Sequence, residues 1–451
     1  MYTAELIDSK TLVAEAKDIL AGNWTGKFTK PAPNLYPHQW NWDAGFIAIG
    51  YSHYNMDRAE SELRSLFSGQ WDNGMVPQII FNPEFDYNYF PSSDFWETWR
   101  SFNAPENKKT SGITMPPVHG FVLQHIYNNA KDKERALNFV REMYPKILKM
   151  HRYFYDHRDP FNEGLVYIRH PWESGTDNSP TWDAPMERIT FDKIKIPPYK
   201  RKDLDNGHAE HRPTDYDYNR YIHLIDIYRK CDYNEEAILE RCPFVIQDPL
   251  FNCILVKSNR ALMELAALID EDVEQLTEWN ELSIKSMNEK LWNSKTGIYD
   301  AYDLHNDERI EMQASSGLIP VYAHIPNAEQ AQQIVDRLLS ESFSGSADQN
   351  TYLCPSYNPT SPKFNPKKYW RGPVWINMNW MLHHGLKHYG FTDLAEQLKQ
   401  ESLELISHYG FYEYFDPIKD VVGKEKQGYG SHRFSWSAAL CIDFLQDKGN
   451  E

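Results

Sequence analysis

The chain has 451 residues, 41% of them hydrophobic and 25% charged, with a formal net charge of −17. That length and that alphabet supply a large core and exclude a disordered chain. The negative charge repels nucleic-acid phosphates and anionic lipid, so nucleic acid and membrane are excluded as partners and a small molecule is expected.

Aromatic content reaches 14%, from 14 Trp, 28 Tyr and 22 Phe. Trp and Tyr join a flat apolar face to a polar edge, the combination that a pyranose ring requires. The cysteines, Cys231, Cys242, Cys253, Cys354 and Cys441, are odd in number and form no C-x-x-C pair. They read as reduced core residues in a cytoplasmic compartment. The segment MYTAELIDSK lacks a basic and then apolar leader, and no apolar run is long enough to span a bilayer.

Helical signals recur in pairs along the chain. A short amphipathic helix is predicted over 10–21. The pairs 42–55 with 56–69 and 117–129 with 133–156 follow; in the last segment Leu137, Phe139, Val140, Met143, Ile147 and Met150 keep a spacing near 3.6. Further pairs are 249–269 with 273–292, 313–323 with 327–339, and 374–389 with 392–409. Asn327 and Thr392 serve as caps and Gly390 as a stop. The helix at 433–447 is left to pair with 10–21. Strand signals are few and short, at Val76–Phe81 and Leu165–Ile168. Eight buried β runs, as a TIM barrel needs, are missing. The expected fold is all-α: a toroid of about six helix pairs with a small cap formed by long loops. One catalytic domain spans 1–451, with about 184–247 as an inserted polar cap segment.

Five aromatic and acidic clusters carry the candidate chemistry. Tyr36-Pro37-His38-Gln39-Trp40-Asn41-Trp42-Asp43 offers a stacking platform just before a helix. Tyr89 through Trp96 adds a second aromatic group, and Gln78 lies in the strand signal before it. His170-Pro171-Trp172-Glu173-Ser174-Gly175-Thr176-Asp177-Asn178-Ser179-Pro180-Thr181-Trp182-Asp183 holds three acids and two Trp among turn formers, so it reads as a loop, where catalytic groups concentrate. A carboxyl ringed by Trp is poorly solvated, so it is expected to stay protonated and act as a general acid. Tyr369-Trp370-Arg371-Gly372-Pro373-Val374-Trp375 precedes a helix. Phe411-Tyr412-Glu413-Tyr414-Phe415-Asp416-Pro417, read as a loop, sets an acid among aromatics, where it can activate water. Asp215, Asp217, Asn219 and Asp226 loosely echo a calcium loop, but Arg220 stands where that loop needs Gly. The 17 His form no His-x-x-x-His or Cys/His set. No metal and no cofactor are therefore expected, and self-association is left open.

The segments WNWDAGF, TSGITMPPVHG, HPWESGTDNSPTWD, YWRGPVWINMNW and YEYFDP resemble glycoside hydrolase family 63 in order and type, over nearly the whole chain. The resemblance implies an (α/α)6 barrel and inversion of configuration, with Asp177 as general acid and Glu413 as general base. It also implies that Tyr36, Trp40, Trp42, Asp43, Trp172, Trp370 and Trp375 wall the sugar subsite, with the sugar stacked on Trp40, Trp42 and Trp375; Gln78 and Tyr89 are further substrate-binding candidates. The compact length and Arg212-Pro213-Thr214-Asp215-Tyr216-Asp217-Tyr218 resemble the branch that hydrolyses glucosylglycerate and mannosylglycerate. There Arg212, with a bidentate fork, and Tyr218 are implied to hold the glycerate carboxylate. Met115 departs from the Gln expected in that branch and leaves the aglycone subsite open. Two alternatives remain: a trehalase-like enzyme or disaccharide α-glucosidase with a neutral aglycone, and a non-catalytic sugar-binding protein. A further alternative for Arg212 is pairing with Asp215 or Asp217 to stabilise the cap.

Overall fold

The computed structural model of the chain describes residues 8–190, 199–201, 204, 209–346, 349–419 and 428–446. The fold is mostly α. In chain order the helices are α1 (Ser9–Asn23), α2 (Asn41–Ser52), α3 (Met56–Phe67), α4 (Ser93–Trp96), α5 (His119–Asn129), α6 (Lys133–His157), α7 (Asp183–Glu187), α8 (Asp215–Lys230), α9 (Glu235–Arg241), α10 (Pro249–Ala266), α11 (Glu274–Ser286), α12 (Ala328–Leu338), α13 (Glu341–Ser344), α14 (Ile376–His388), α15 (Thr392–Tyr409) and α16 (Ser435–Gln446).

Two kinds of helix alternate. Every residue of α2 is buried, and α16 is buried from Ser435 through Phe444. A helix buried all round needs no polar face. By contrast α3 and α12 bury one stripe and expose the rest, the amphipathic pattern of an outer helix. Local chemistry sets the starts. The Asp132 carboxylate accepts from the Arg135 N–H at the head of α6, and reciprocal capping boxes start α8 at Thr214/Asp217 and α12 at Asn327/Gln330.

The more deeply buried helices pack on one another and on the amphipathic ones. Thus α2 packs on α3, α5 and α16; α5 on α6 and α10; α10 on α11; α14 on α15 and α16; and α16 on α1. One expected helix is absent. Residues 313–323 form two short 3₁₀ turns, Ser315–Gly317 and Ile319–Ala323. Pro320 lacks an N–H and its ring clashes with the preceding turn, which breaks an α-helix there. The Ile319–Ala323 turn nevertheless packs between α10 and α14, where that helix was expected.

The strands are short. Ile79–Ile80 pairs antiparallel with Gln39–Trp40, and Ile168 bridges Ile246. Glu413, expected on a loop, stands on the strand Tyr412–Phe415, which pairs with Gly428–His432. Its residues 413–415 are all buried, so the strand shows no alternation of polar and apolar residues. From the cap segment 184–247, residues 191–198, 202–203 and 205–208 lie outside the described residues; α8 and α9 account for much of the rest. Among the described residues no helix is long and apolar enough to cross a membrane.

The core holds an uncommon acid. Glu62 on α3 is fully buried, with the Thr29 N–H donating to Oε1 at 2.7 Å, and burial pushes its carboxyl up to about 8. The folded chain then keeps a proton that the unfolded chain releases near pH 4.3. Stability therefore falls as pH rises from about 4.3 to about 8 and is unaffected below that window. Glu62→Gln keeps the shape without the charge. It is expected to be more stable than wild type at pH 7, by up to about 3.6 kcal/mol at 1.36 kcal/mol per unit, and equal to it at pH 4. Thermal melts at the two pH values check this; an equal difference at both would mean that Glu62 does not titrate in that window.

Candidate active site

The N-terminal ends of the buried helices and the loops before them surround one cavity of about 1010 Å³, open mouth included. The segment ahead of α2 supplies Tyr36 and, from the strand Gln39–Trp40, Trp40, and the first turn of α2 supplies Trp42 and Asp43. The loop before α5 supplies Met115, the 170–183 loop supplies Trp172 and Asp177, and the segment before α14 supplies Tyr369 and Trp370. Gln78, Tyr89, Arg212, Tyr218 and Glu413 complete the candidates that line it.

Glu413 is 1% exposed and accepts four hydrogen bonds. The Tyr36 and Tyr369 hydroxyls donate to Oε1 at 2.7 and 3.0 Å, and Arg212 Nη2 and the Ser431 N–H donate to Oε2 at 3.0 and 3.1 Å. Burial pushes both phenols well above their usual range, so they remain O–H donors. Two backbone conformations make this possible. Tyr369 is held at φ 43°, a left-handed conformation that costs a non-glycine residue on the order of 1–3 kcal/mol. Gly430 has φ +73°, and a Cβ there would meet Glu413 Oε2 at 2.3 Å.

Asp43, in the first turn of α2, is the third acid of the cavity. Burial pushes its carboxyl well above the usual carboxylate range, and the nearby charges of Glu413 and Asp177 push it further. A neutral carboxyl can donate to a sugar hydroxyl. Asp177 is half-buried, and its backbone carbonyl accepts from the Tyr221 hydroxyl at 3.0 Å. Two residues earlier Gly175 turns with φ +74°, where a Cβ would meet the Trp42 ring at 2.5 Å; only glycine lets the loop pass over that indole. Gln78 Oε1 is buried without a hydrogen-bond partner among the described residues. Tyr218 donates to the Phe90 carbonyl at 3.2 Å.

Two candidates sit differently from expectation. Trp375 does not line the cavity. It stacks behind Trp370, ring centroids 3.8 Å apart at 2°, and against Tyr414 at 4.9 Å. It stiffens the wall, because the helix start at Ile376 turns it inward. Arg212 pairs with neither Asp215, which binds Arg201, nor Asp217, which caps α8 and faces Arg220. Its guanidinium lies over the Tyr369 ring at 4.3 Å and grips Glu413 and Tyr36. Tyr221, Phe434 and Trp436 also line the cavity and had not been singled out; Trp436 lies in a buried helix whose pattern reads as core. The Ser431 amide had no signal to find, since nearly every residue type supplies a backbone N–H. Among the described residues no group of three or more His, Cys, Asp or Glu could hold a metal ion.

A mostly helical protein with two carboxylates and an aromatic wall on one cavity has the makings of a glycoside hydrolase. Residues 36–437 match the family model described as mannosylglycerate hydrolase MGH1-like glycoside hydrolase domain, and the chain belongs to that family. It is 41% identical over 434 residues to mannosylglycerate hydrolase of Rubrobacter radiotolerans, covering 96% of each chain. It is 33% identical to glucosylglycerate hydrolase of Mycolicibacterium hassiacum, covering 96% of this chain and 97% of that one. The structure superposes with TM-score 0.88 and 41% identity on GH63 mannosylglycerate hydrolase from Thermus thermophilus in complex with Tris and D-glycerate, covering 96% of this chain and 99% of that one.

Proposed function

We propose that this chain is an inverting α-glycosidase that hydrolyses a glycosylglycerate, mannosylglycerate first and glucosylglycerate second. The observation that carries the reading is the pairing of Asp177 and Glu413 on one cavity, with Glu413 set among four donors. Asp177 protonates the glycosidic oxygen while Glu413 takes a proton from water on the other face of the sugar. Inversion requires a separation of roughly 6.5–9.5 Å between the two carboxyl groups, room for that water. A carboxylate has about four lone-pair sites, so the water displaces one tyrosine hydroxyl from Oε1. Neutral Asp43 and the free acceptor of Gln78 bind sugar hydroxyls, with Trp40, Trp42, Tyr89, Trp172 and Trp370 around the ring. Arg212 and Tyr218 hold the glycerate; the 41% identity to a mannosylglycerate hydrolase and the glycerate-bound neighbour support this choice.

The same proposal covers the architecture. The packing sequence α2, α5, α10, the 319–323 turn, α14 and α16, with amphipathic partners outside, fits an (α/α)6 barrel in one catalytic domain over 1–451. The 184–247 segment, which brings Arg212 and Tyr218, is its cap. Five free, buried cysteines fit a reducing, cytoplasmic setting.

The test is hydrolysis of mannosylglycerate, glucosylglycerate, trehalose and kojibiose, followed by proton NMR of the anomeric signal. Mannosylglycerate is expected to be cleaved fastest, releasing the β-anomer first. Early release of the α-anomer would mean retention and a different nucleophile. Apolar Met115 in the cavity wall is the observation that favours a neutral aglycone, and fastest cleavage of a disaccharide would establish that reading instead.

A further inference from the structure

Beneath the loop that carries Asp177 lies a buried charge network that the proposed reaction does not use. Arg158, Arg169 and Glu173 are at most 1% exposed. Arg158 grips Glu173 with both terminal nitrogens, at 3.2 and 3.1 Å, and approaches Glu235 at 3.3 Å. Arg169 binds Glu235 at 2.6 Å, and its own backbone N–H donates to Glu173 Oε2 at 2.7 Å. The Thr114 N–H reaches Glu173 Oε1 at 3.3 Å, and Arg169 Nη2 reaches the Gly112 carbonyl at 3.1 Å. Burial alone would push the Glu173 carboxyl up, but the two guanidinium groups outweigh it and hold it below the usual range.

Burying such charges rarely adds stability, since well-packed apolar residues often do as well or better. What the network supplies is a fixed position. Glu173 lies in the short turn Pro171–Ser174, four residues before Asp177, and ties it to the end of α6 and to the loop leading into α5. The other side of Asp177 is pinned as well. Asn178 Oδ1 accepts from the Trp370 N–H at 2.9 Å, and Arg371 donates to the Asn178 carbonyl at 3.2 Å. With both flanks anchored, the carboxyl between them has little freedom to drift.

We propose that Glu173 is a positioning residue for Asp177: its ion network fixes the point from which the proton is delivered to the leaving oxygen. The proposal rests on the reading of Asp177 as general acid. Leaving-group dependence separates it from a general structural role. A glycoside leaves as an alkoxide and needs the proton; a glycosyl fluoride leaves as fluoride and needs no donated proton. Glu173→Gln and Asp177→Asn are compared with wild type on mannosylglycerate and on α-mannosyl fluoride. Glu173→Gln is expected to lose roughly 10²-fold in kcat on the glycoside, the cost of a misplacement of about 1 Å, with KM little changed and the fluoride rate near wild type. Loss by the same factor on both substrates would overturn the proposal. Equal loss on both by Asp177→Asn would instead unseat Asp177 as the acid. Glu173→Asp keeps the charge on a shorter arm and is expected to restore part of the glycoside rate. If Glu173→Gln does not fold, the glycoside-to-fluoride ratio of Glu173→Asp decides: a ratio equal to wild type overturns the proposal.

Discussion

Asp177→Asn and Glu413→Gln are each expected to lower turnover of a glycosylglycerate by roughly 10²- to 10⁴-fold while leaving the fold intact. Both replacements keep the shape of the side chain and remove proton chemistry; Glu413→Gln also removes the anion paired with buried Arg212, so it is expected to melt below wild type while still folding. Gln at 413 can still accept at one atom, but its amide nitrogen would face two donors, so the two tyrosines or the Arg212 and Ser431 pair must yield. Asn at 177 keeps its place between Gly175 and Asn178. Circular dichroism and thermal melts establish that the variants are folded, and initial rates with saturating substrate measure the loss. Near-wild-type turnover in either variant would remove that residue from the reaction.

The second large effect is expected at Arg212. Read from the sequence, this residue holds the anionic aglycone, so that its loss would cost neutral substrates much less, or else pairs with Asp215 or Asp217 in the cap. In the structure it is a buried partner of Glu413. Removing one member of a buried pair leaves an uncompensated charge and costs about 3–5 kcal/mol. Arg212→Ala is therefore expected to be less stable and to lose activity on every glycoside. Its guanidinium has five N–H donors, and the bonds to Glu413 and Tyr36 occupy two of them. The remaining donors can meet a carboxylate, so an additional loss is expected on glycosylglycerates. A charge-assisted hydrogen bond contributes about 1.5–3 kcal/mol, or about 10- to 150-fold at 1.4 kcal/mol per decade. The measurement is kcat/KM of Arg212→Ala and wild type on mannosylglycerate and on the matching neutral mannosylglycerol. Equal losses on the two would assign Arg212 to Glu413 alone; an unaffected neutral substrate would show that the Glu413 pair contributes nothing to the reaction.

The helices were legible wherever a local pattern suffices. Predicted segments such as 133–156 and 392–409 agree with α6 and α15 to within a residue at each end, because 3.6-residue spacing acts over one or two turns; Thr392, expected as a cap, is instead the first residue of α15, and Phe391 stands at the cap without a side-chain bond. The 313–323 segment was misread because Pro320 overrides an otherwise apolar pattern. The strand at 412–415 was hidden because it is covered on both faces and its partner, Gly428–His432, is distant enough to leave no local trace.

The same division runs through the site. Residue type and clustering drew attention to the segments rich in acids and aromatics, and the family resemblance assigned Asp177 and Glu413 their roles within them. Those clusters also pointed to glycoside chemistry. Which atoms meet was decided only by the tertiary structure. Trp375 is placed behind Trp370, Arg212 lies 201 residues from Glu413 in sequence yet 3.0 Å away in space, and the charge network under Asp177 joins residues from 112 to 235. Such pairings depend on how helices pack, and packing is a property of distant surfaces brought together. A carboxylate's chemistry is written in its residue type, but its donors are chosen by the fold.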